Sequence, residues 1–198
     1  MSSVELAENI HWVGAVDWDI RDFHGYETRR GTTYNAYLIK DEKTALVDTV
    51  KYQFQNKLTG NVRELTSLEK LDYVIVNHVE KDHSSSLPHI VQYARDATII
   101  ATRIGKDGLM KYYGGEDWSF QVVKTGDEVN LGRKTLKFVE APMLHWPDSM
   151  FTYVKEEEIL MPNDAFGQHL ATSQRFDGEV EESILMDEAA KYYANILM

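Results

Sequence analysis

A run of potential metal ligands lies in residues 76–88, VNHVEKDHSSSLP. The ligand-type residues of this run are His78, Glu80, Asp82 and His83. The preceding residues 71–78 predict a buried strand whose end delivers His78 into a loop, where α/β folds usually place their sites. If this loop stays extended, His78, Glu80 and Asp82 point to one side, because side chains alternate along an extended chain. Imidazole suits iron, zinc and copper, whereas carboxylates shift the preference toward iron and manganese.

These residues could instead be solvated surface residues, since short motifs of this kind also arise by chance. Two later stretches favour the metal site. In residues 140–153, EAPMLHWPDSMFTY, His145 follows a predicted strand, although a lone histidine there is more often a hydrogen-bonded core residue. In residues 158–169, EILMPNDAFGQH, Asp164 follows an apolar strand and could be a turn residue or a carboxylate between two cations. Ligand-type residues at three strand ends together predict a metal site.

The elements that would position these residues alternate between strands and helices. Runs of β-branched and aromatic residues predict strands at 9–16, 32–39, 43–50, 71–78, 97–102, 120–124, 134–142, 150–156 and 158–164. Helical periodicity or capping signals predict helices at 52–70, 84–96, 103–115 and 179–198, and residues 130–133 predict a turn. This order predicts a mixed α/β layered fold in a single domain over residues 1–198. A Rossmann unit is disfavoured, because no G-x-G-x-x-G follows a strand.

Composition narrows the chemistry further. The 198 residues carry a formal net charge of -11, which disfavours nucleic acid and anionic membrane partners. The chain has no cysteine, so thiolate metal sites and disulfides are excluded, and any metal must be held by histidine and carboxylate. No basic and apolar leader and no stretch of about 18 apolar residues occurs, so a cytoplasmic protein is expected.

The order His-x-Glu-x-Asp-His, then His, then Asp resembles the metallo-β-lactamase fold. More narrowly, the chain resembles the diiron domain of the flavodiiron proteins, which include flavorubredoxins and rubredoxin–oxygen oxidoreductases. The matching segments are IHWVGAVDWDIRDFHGYETRRGTTYNAYLI, NHVEKDH, APMLHWPDSM, NDAFGQH and YYANIL. Hydrolytic members of the fold typically carry a histidine where Glu80 stands and bind zinc. A carboxylate there adds negative charge and a hard oxygen donor, which suits redox-active iron.

The resemblance implies a set of ligands for two non-haem iron ions. His78, Glu80 and His145 would hold one ion, Asp82 and His83 the other, and Asp164 would bridge both. In the family a further histidine, downstream of the bridging aspartate, completes the second iron. The 198 residues do not contain it, so the second iron is expected to bind weakly or to be absent.

Three more residues match family positions around this site. Asp48, in ALVDTV, would orient the ligand loop, or it could be a turn residue at a strand end. His24, in RDFHGYE, and Tyr193, in KYYANIL, would approach the pocket and supply a hydrogen bond or a proton to a bound diatomic. Both could equally be packing or surface residues. His11, His89 and His169 are predicted to be structural.

The resemblance also implies what lies outside the chain. The fold would be an αββα sandwich that is incomplete at its C-terminal end, with an apolar face of the sheet or of the last helix left for a partner to cover. A flavodoxin-like domain or protein would carry FMN, rubredoxin could be a further partner, and a homo-oligomer or a complex with a complementary chain is expected. The expected reaction is reduction of dioxygen to water, of nitric oxide to nitrous oxide, or of both. Alternatives are an oxygen-binding or sensing protein without turnover, a zinc hydrolase of the same fold, and an isolated chain that is inactive.

Overall fold

The computed structural model describes residues 2–197, which form fifteen strands and five α-helices. The strands are β1 (Val4–Ala7), β2 (Ile10–Trp12), β3 (Ala15–Asp17), β4 (Asp22–Phe23), β5 (Tyr26–Glu27), β6 (Thr32–Tyr34), β7 (Tyr37–Lys40), β8 (Thr44–Val47), β9 (Tyr73–Ile75), β10 (Thr98–Ala101), β11 (Phe120–Val122), β12 (Glu128–Asn130), β13 (Thr135–Glu140), β14 (Met150–Val154) and β15 (Ile159–Met161). The helices are α1 (Gln55–Arg63), α2 (Lys81–Ser84), α3 (Leu87–Tyr93), α4 (Arg103–Tyr113) and α5 (Glu182–Asn195).

Two larger sheets organise the fold. A seven-stranded sheet has the order β1-β2-β7-β8-β9-β10-β11, and a four-stranded sheet has the order β12-β13-β14-β15. In the larger sheet, β8, β9, β10 and β11 pair in parallel, while the other pairs are antiparallel. The carboxyl ends of the parallel strands therefore meet at one edge, and the loop after β9 starts there. Two short ribbons, β3-β6 and β4-β5, complete the strands.

The core has two parts, one on each face of the larger sheet. On one face, Leu46 and Val74 of the sheet pack with residues of α1, α3 and α4, such as Leu58 and Ile90. On the other face, a second cluster of sheet residues packs against the inward side chains of the smaller sheet, such as Phe138. Neighbouring side chains on a strand point to opposite faces, so the buried runs of β7 and β8 supply both clusters.

The predicted strands at 9–16 and 32–39 are wrong in extent, because each is two strands. Residues 9–16 divide into β2 in the large sheet and β3 in a ribbon, and residues 32–39 divide into β6 and β7 in the same way. The break between β2 and β3 includes Gly14, whose backbone lies against that of Tyr34, since an added Cβ would lie 2.1 Å from the Tyr34 carbonyl oxygen. This close approach of two backbones explains the break, which an apolar alternation does not reveal. The sequence also did not predict β1, β4, β5 and β12.

The helices are shorter than predicted. Residues 52–70 contain α1 flanked by two 3-10 turns, and residues 84–96 contain α3, while α2 starts before that range at Lys81. Ser86 directly precedes α3, but its hydroxyl does not cap the helix and donates to the Val50 carbonyl at 2.7 Å instead. The predicted turn at 130–133 joins β12 to β13. Among the helices within residues 2–197, none is long and apolar enough to cross a membrane.

Candidate metal centre

The ligand-type residues named from the sequence come from four places in the fold. His78 and Glu80 lie between β9 and α2, and His145 lies in the loop between β13 and β14. Asp164 follows β15, while Asp82 and His83 belong to the single turn of α2. The condition for His78, Glu80 and Asp82 to point to one side, a loop that stays extended as far as Asp82, is therefore not met. The backbone stays extended only as far as Glu80, which precedes the first residue of α2.

Four of these side chains converge on one point. Their ligand atoms, from His78, Glu80, His145 and Asp164, all lie within 4.8 Å of one another. Glu80 Oε2 lies 3.3 Å from His78 Nε2 and 3.2 Å from His145 Nε2. Asp164 Oδ2 lies 3.2 Å from His145 Nε2 and 3.6 Å from His78 Nε2. Two imidazoles and two carboxylates are a suitable donor set for a divalent first-row metal ion.

A second group lies on the other side of Asp164. His83 Nε2 is 2.8 Å from Asp164 Oδ1 and 3.0 Å from Asp82 Oδ2. Within residues 2–197, the ring nitrogens of His83 and the Asp82 Oδ1 atom are buried without a hydrogen-bond partner of acceptable geometry. Donor atoms that crowd together without aligned hydrogen bonds fit a cation better than a hydrogen-bond network. The two oxygens of Asp164 thus face different histidine groups, as a bridging carboxylate would.

Opposite charges balance within the cluster. Burial opposes the charged form of His78, but the carboxylates of Asp148 and Glu80 raise the pKa of His78 to about 9. Burial likewise opposes charge on His145, yet Asp164 and Glu80 raise its pKa to about 9. Burial would raise the pKa of Asp164, but His83 and His145 hold it well below its usual range. A bound cation would replace these protons as the positive partner of the carboxylates.

Asp148 is a functional candidate that sequence reasoning missed. Its Oδ2 atom lies 3.1 Å from His78 Nδ1 and accepts the Val79 backbone N–H at 2.8 Å. When His78 is neutral, an Nδ1–H directed at this carboxylate leaves the Nε2 lone pair facing Glu80 and Asp164. Asp148 lies in the same loop as His145, so it links the two ligand loops. Its position after a proline is typical of an ordinary turn aspartate, and no local signal distinguishes it.

Asp48 lies buried at the end of β8, where the sequence predicted a residue that orients the ligand loop. Its backbone has a φ of 58°, a left-handed conformation that aspartate tolerates better than most residues. The Asn77 backbone N–H donates to Asp48 Oδ1 at 2.8 Å, and the Asn77 amide donates to Oδ2 at 2.9 Å. Asp48 therefore fixes the residue immediately before His78.

A cavity of about 350 Å³ adjoins the second group. Its lining includes Phe23, Asp82, His83, Asp164, His169 and Tyr192. His169, predicted to be structural, forms a hydrogen bond with Thr32 Oγ1 through its Nδ1 atom at 2.9 Å. Burial, together with the charge of His24, lowers the pKa of His169 to about 4. Burial and the carboxylates of Asp164 and Asp82 raise the pKa of Tyr192, so this phenol keeps its proton.

Tyr192, rather than the predicted Tyr193, faces the site. Tyr192 is buried with its ring 5.2 Å from that of His169, whereas the Tyr193 side chain is 44% exposed. The predicted approach of Tyr193 to the pocket is therefore wrong by one residue. His24 does reach the site, with Nε2 3.3 Å from Glu80 Oε1. His89 contacts Tyr93 on α3, as expected of a structural residue.

The chain is similar to known proteins along most of its length. The model of the ODP family beta lactamase family matches residues 32–197. A protein of Moorella thermoacetica named nitric oxide reductase is 56% identical over 197 residues, and the match covers 98% of this chain and 49% of that protein. The predicted metallo-β-lactamase-like α/β fold is confirmed by this family match and by solved structures.

Two solved structures are similar over nearly the whole chain. The flavodiiron protein from Giardia intestinalis is 41% identical with a TM-score of 0.96, covering 100% of this chain and 48% of that one. The rubredoxin oxygen:oxidoreductase from Desulfovibrio gigas is 40% identical with a TM-score of 0.96, covering 99% and 49%. The chain thus spans about half the length of the relatives that it matches.

Proposed function

Because the chain belongs to the ODP family of beta lactamases and to the flavodiiron proteins within it, we propose that it is the diiron domain of an oxidoreductase. The reaction would be reduction of nitric oxide to nitrous oxide, of dioxygen to water, or of both. Relatives named nitric oxide reductase and rubredoxin oxygen:oxidoreductase support these two substrates. The proposal treats residues 1–198 as one domain.

The observation that carries the proposal is the division of Asp164 between two histidine groups. Its Oδ2 atom faces His78 and His145, and its Oδ1 atom faces His83. A carboxylate with one oxygen toward each of two adjacent donor groups is the arrangement that two-metal sites need. His78, Glu80 and His145 would hold one iron, and Asp82 and His83 the other.

Two iron ions, when bound, would supply a binding position for the diatomic and two of the electrons for its reduction. The residues of the chain control charge around that position. Glu80, Asp82 and Asp164 bring three carboxylates toward two cations, which favours the higher oxidation states of iron. A histidine in place of Glu80 would remove one of these charges, which is why the zinc hydrolase alternative is disfavoured.

Residues that line the cavity would supply protons or hydrogen bonds to the bound diatomic. We assign to Tyr192 the proton or hydrogen-bond donation predicted for Tyr193, because the buried Tyr192 phenol keeps its proton beside Asp164. His169 stays neutral at physiological pH, since its pKa is lowered to about 4. It could therefore accept as well as donate a hydrogen bond through its Nε2 atom.

Electrons would come from outside the chain. Since the chain spans about half the length of its relatives, we infer that FMN is carried by a flavodoxin-like domain or protein. Rubredoxin as an upstream donor, a homo-oligomer or a complex with a complementary chain, and a cytoplasmic location belong to the same proposal. The net charge of -11 favours partners that present basic surfaces.

A single-turnover experiment tests the proposal. The chain is loaded with ferrous iron without oxygen, its iron content and Mössbauer spectrum are recorded, and nitric oxide is added in slight excess. Two ferrous ions supply the two electrons that convert two nitric oxide molecules and two protons into one nitrous oxide and one water. With ferrous iron in excess, so that a weakly bound second ion is also loaded, we expect two irons per chain and close to one nitrous oxide per pair, measured by gas chromatography.

The test variant replaces the proposed bridging carboxylate, and the matched control replaces an aspartate outside the site. Asp164→Asn keeps the size of the side chain but removes its charge, so iron pairing and nitrous oxide formation should both be lost. Asp127→Asn, in the turn before β12, should leave both unchanged. Full occupancy by zinc after iron-replete expression, or iron loading without any nitrous oxide, would contradict the diiron proposal.

A further inference from the structure

Besides the cavity at the metal centre, a cleft of about 740 Å³ lies between residues 26–30 and α5. The cleft opens to solvent, because Arg30 on its wall has a side chain that is 50% exposed. Glu188 lines the same cleft but is only 5% exposed, so it lies at the inner end. The charged residues that line the cleft around Glu188 are Glu27, Arg29, Arg30, Asp187 and Lys191.

Glu188 is held in place and lies on the helix face that meets the cavity. Its Oε2 atom accepts from Lys191 Nζ at 2.8 Å, and its Oε1 atom is 3.6 Å from Arg30 Nε. Tyr192, four residues further along α5, lines the cavity. Residues four apart lie on one face of a helix, so the same face of α5 borders the cleft at Glu188 and the cavity at Tyr192.

Two aromatic rings form the wall between the cleft and the cavity. Tyr26 lines the cleft, His169 lines the cavity, and their ring centroids are 5.5 Å apart. Within residues 2–197, Tyr26 Oη and His169 Nε2 are buried without a hydrogen-bond partner. Buried polar atoms that the protein leaves unpaired are normally satisfied by ordered water. Polar atoms therefore continue through the wall from one side to the other.

Both rings of the wall are in a state that can pass a proton on. Burial raises the pKa of Tyr26, and the nearby charge of Glu188 raises it further, so the phenol keeps its proton. His169 is neutral at physiological pH, because burial and the charge of His24 lower its pKa to about 4. A hydroxyl and a neutral imidazole can each accept one proton while they release another.

We propose that Glu188, Tyr26 and His169 carry protons from the solvent-facing cleft to the cavity beside the metal centre. Glu188 takes a proton from water and gives it to the Tyr26 oxygen. Tyr26 gives its own proton to Nε2 of His169, which releases it to the diatomic substrate in the cavity. Each carrier returns to its starting charge. The inference rests on the proposed function, in which two protons are consumed for each nitrous oxide formed.

Exchange of the His169 ring N–H with water tests the inference without any metal. The rate is measured at neutral pH by ¹⁵N NMR saturation transfer on the metal-free chain, and His169→Gln assigns the signal. Glu188→Gln keeps the size of the side chain but cannot act as an acid, and Tyr26→Phe removes the hydroxyl. We expect each to slow the exchange at least about tenfold, since a positioned acid typically speeds proton transfer by more than that.

Two further variants separate proton transfer from a purely structural role of Glu188. Lys191→Gln breaks the 2.8 Å ion pair but keeps the carboxylate, so the exchange should stay within a few-fold of wild type. Glu182→Gln, at an exposed acid of the same helix, makes the same change of charge and should have no effect. If Lys191→Gln slows the exchange as much as Glu188→Gln does, the ion pair matters rather than the acid, and the inference is wrong.

A second measurement separates this inference from the proposed function. With ferrous iron loaded to the same content, Glu188→Gln and Tyr26→Phe should slow single-turnover formation of nitrous oxide at least about tenfold. An unchanged rate of exchange, or slowed exchange with an unchanged rate of nitrous oxide formation, would overturn the proton route and leave the diiron proposal standing. If the wild type forms no nitrous oxide, the proposed function fails, and the route fails with it only if the exchange is also unchanged in the variants.

Discussion

The Asp148 carboxylate holds the His78 ring at an Oδ2–Nδ1 distance of 3.1 Å. The same oxygen accepts the Val79 backbone N–H at 2.8 Å, so ring and backbone are fixed together. Asp148 is itself anchored, because the Thr102 hydroxyl donates to its carbonyl at 3.0 Å and also caps α4 by accepting the Gly105 N–H. One carboxylate thus sets the orientation of His78, which lies on a different loop.

We expect Asp148→Ala to weaken binding of the first metal ion by roughly 10–100-fold, the usual effect of removing the hydrogen-bond partner of a ligating histidine. Without the carboxylate, Nδ1 loses its acceptor, and the proton can move to Nε2, which must be free to bind metal. Competition with a chelator measures the affinity, and the ¹⁵N shifts of the metal-free imidazole, recorded above pH 9 where the ring is neutral, report the tautomer.

Asp148→Asn distinguishes orientation from charge. An amide oxygen in the place of Oδ2 can still accept from His78 and Val79, so the affinity should stay within a few-fold of wild type. If the alanine variant instead keeps both its affinity and the Nδ1–H tautomer, Asp148 does not position His78.

Glu80 is expected to set metal preference. Its Oε2 atom faces His78 and His145, where a histidine would convert the donor set to mainly nitrogen. Glu80→His should therefore shift the preference from iron toward zinc by about tenfold or more, since imidazole suits zinc and carboxylate suits harder ions. Loading from equal iron and zinc, followed by elemental analysis, measures the ratio. Glu69→His on the surface 3-10 turn is the control, and an unchanged ratio in Glu80→His would argue against this role.

A site residue could be predicted from the sequence when the element that positions it lies next to it in the chain. His78, Glu80 and Asp164 could be found because each follows a strand with a clear apolar pattern. Asp148 could not, because its partner His78 is 70 residues away and only the folded loops bring them together. The fold class was predictable from the order of strands and helices, while the break at Gly14 depends on a neighbouring backbone.

The choice between Tyr192 and Tyr193 shows another limit. Successive residues on a helix point about 100° apart, so the side that meets a cavity depends on how the helix is docked. The apolar residues of α5 do not mark one clear face, since Met186 and Tyr193 are exposed while Glu188 is buried. A buried glutamate, paired with Lys191 at 2.8 Å, reverses the pattern from which the facing side is normally inferred.

Asp48 is expected to stabilise the loop before His78. Asp48→Ala removes both acceptors of the buried Asn77 donors and places alanine at a φ of 58°. The free energy of unfolding should fall by about 3 kcal/mol, from unsatisfied donors and from the left-handed backbone. Asp48→Asn keeps one acceptor and tolerates the backbone, so it should lose less than half as much. Urea unfolding measures both, and equal stability of the alanine variant and the wild type would contradict the prediction.

The metal-free chain should lose stability as pH rises above neutrality. The pKa values of His78 and His145 are raised to about 9 from 6.5, because both rings face carboxylates. A raised pKa means that the folded state binds protons more tightly than the unfolded state. The stabilisation is therefore complete below pH 6.5 and is lost as pH rises through 9.

Urea unfolding of the metal-free chain at several pH values between 6 and 10 would measure this loss, which should reach a few kcal/mol. His145→Gln removes one of the titrating rings, so its stability should change less over the same range, whereas His89→Gln should follow the wild type. Metal binding must displace the same protons, so the apparent affinity for ferrous iron should rise with pH where the stability falls. A metal-free stability that stays level from pH 6.5 to 9 would mean that these carboxylates do not hold the histidines in their charged form.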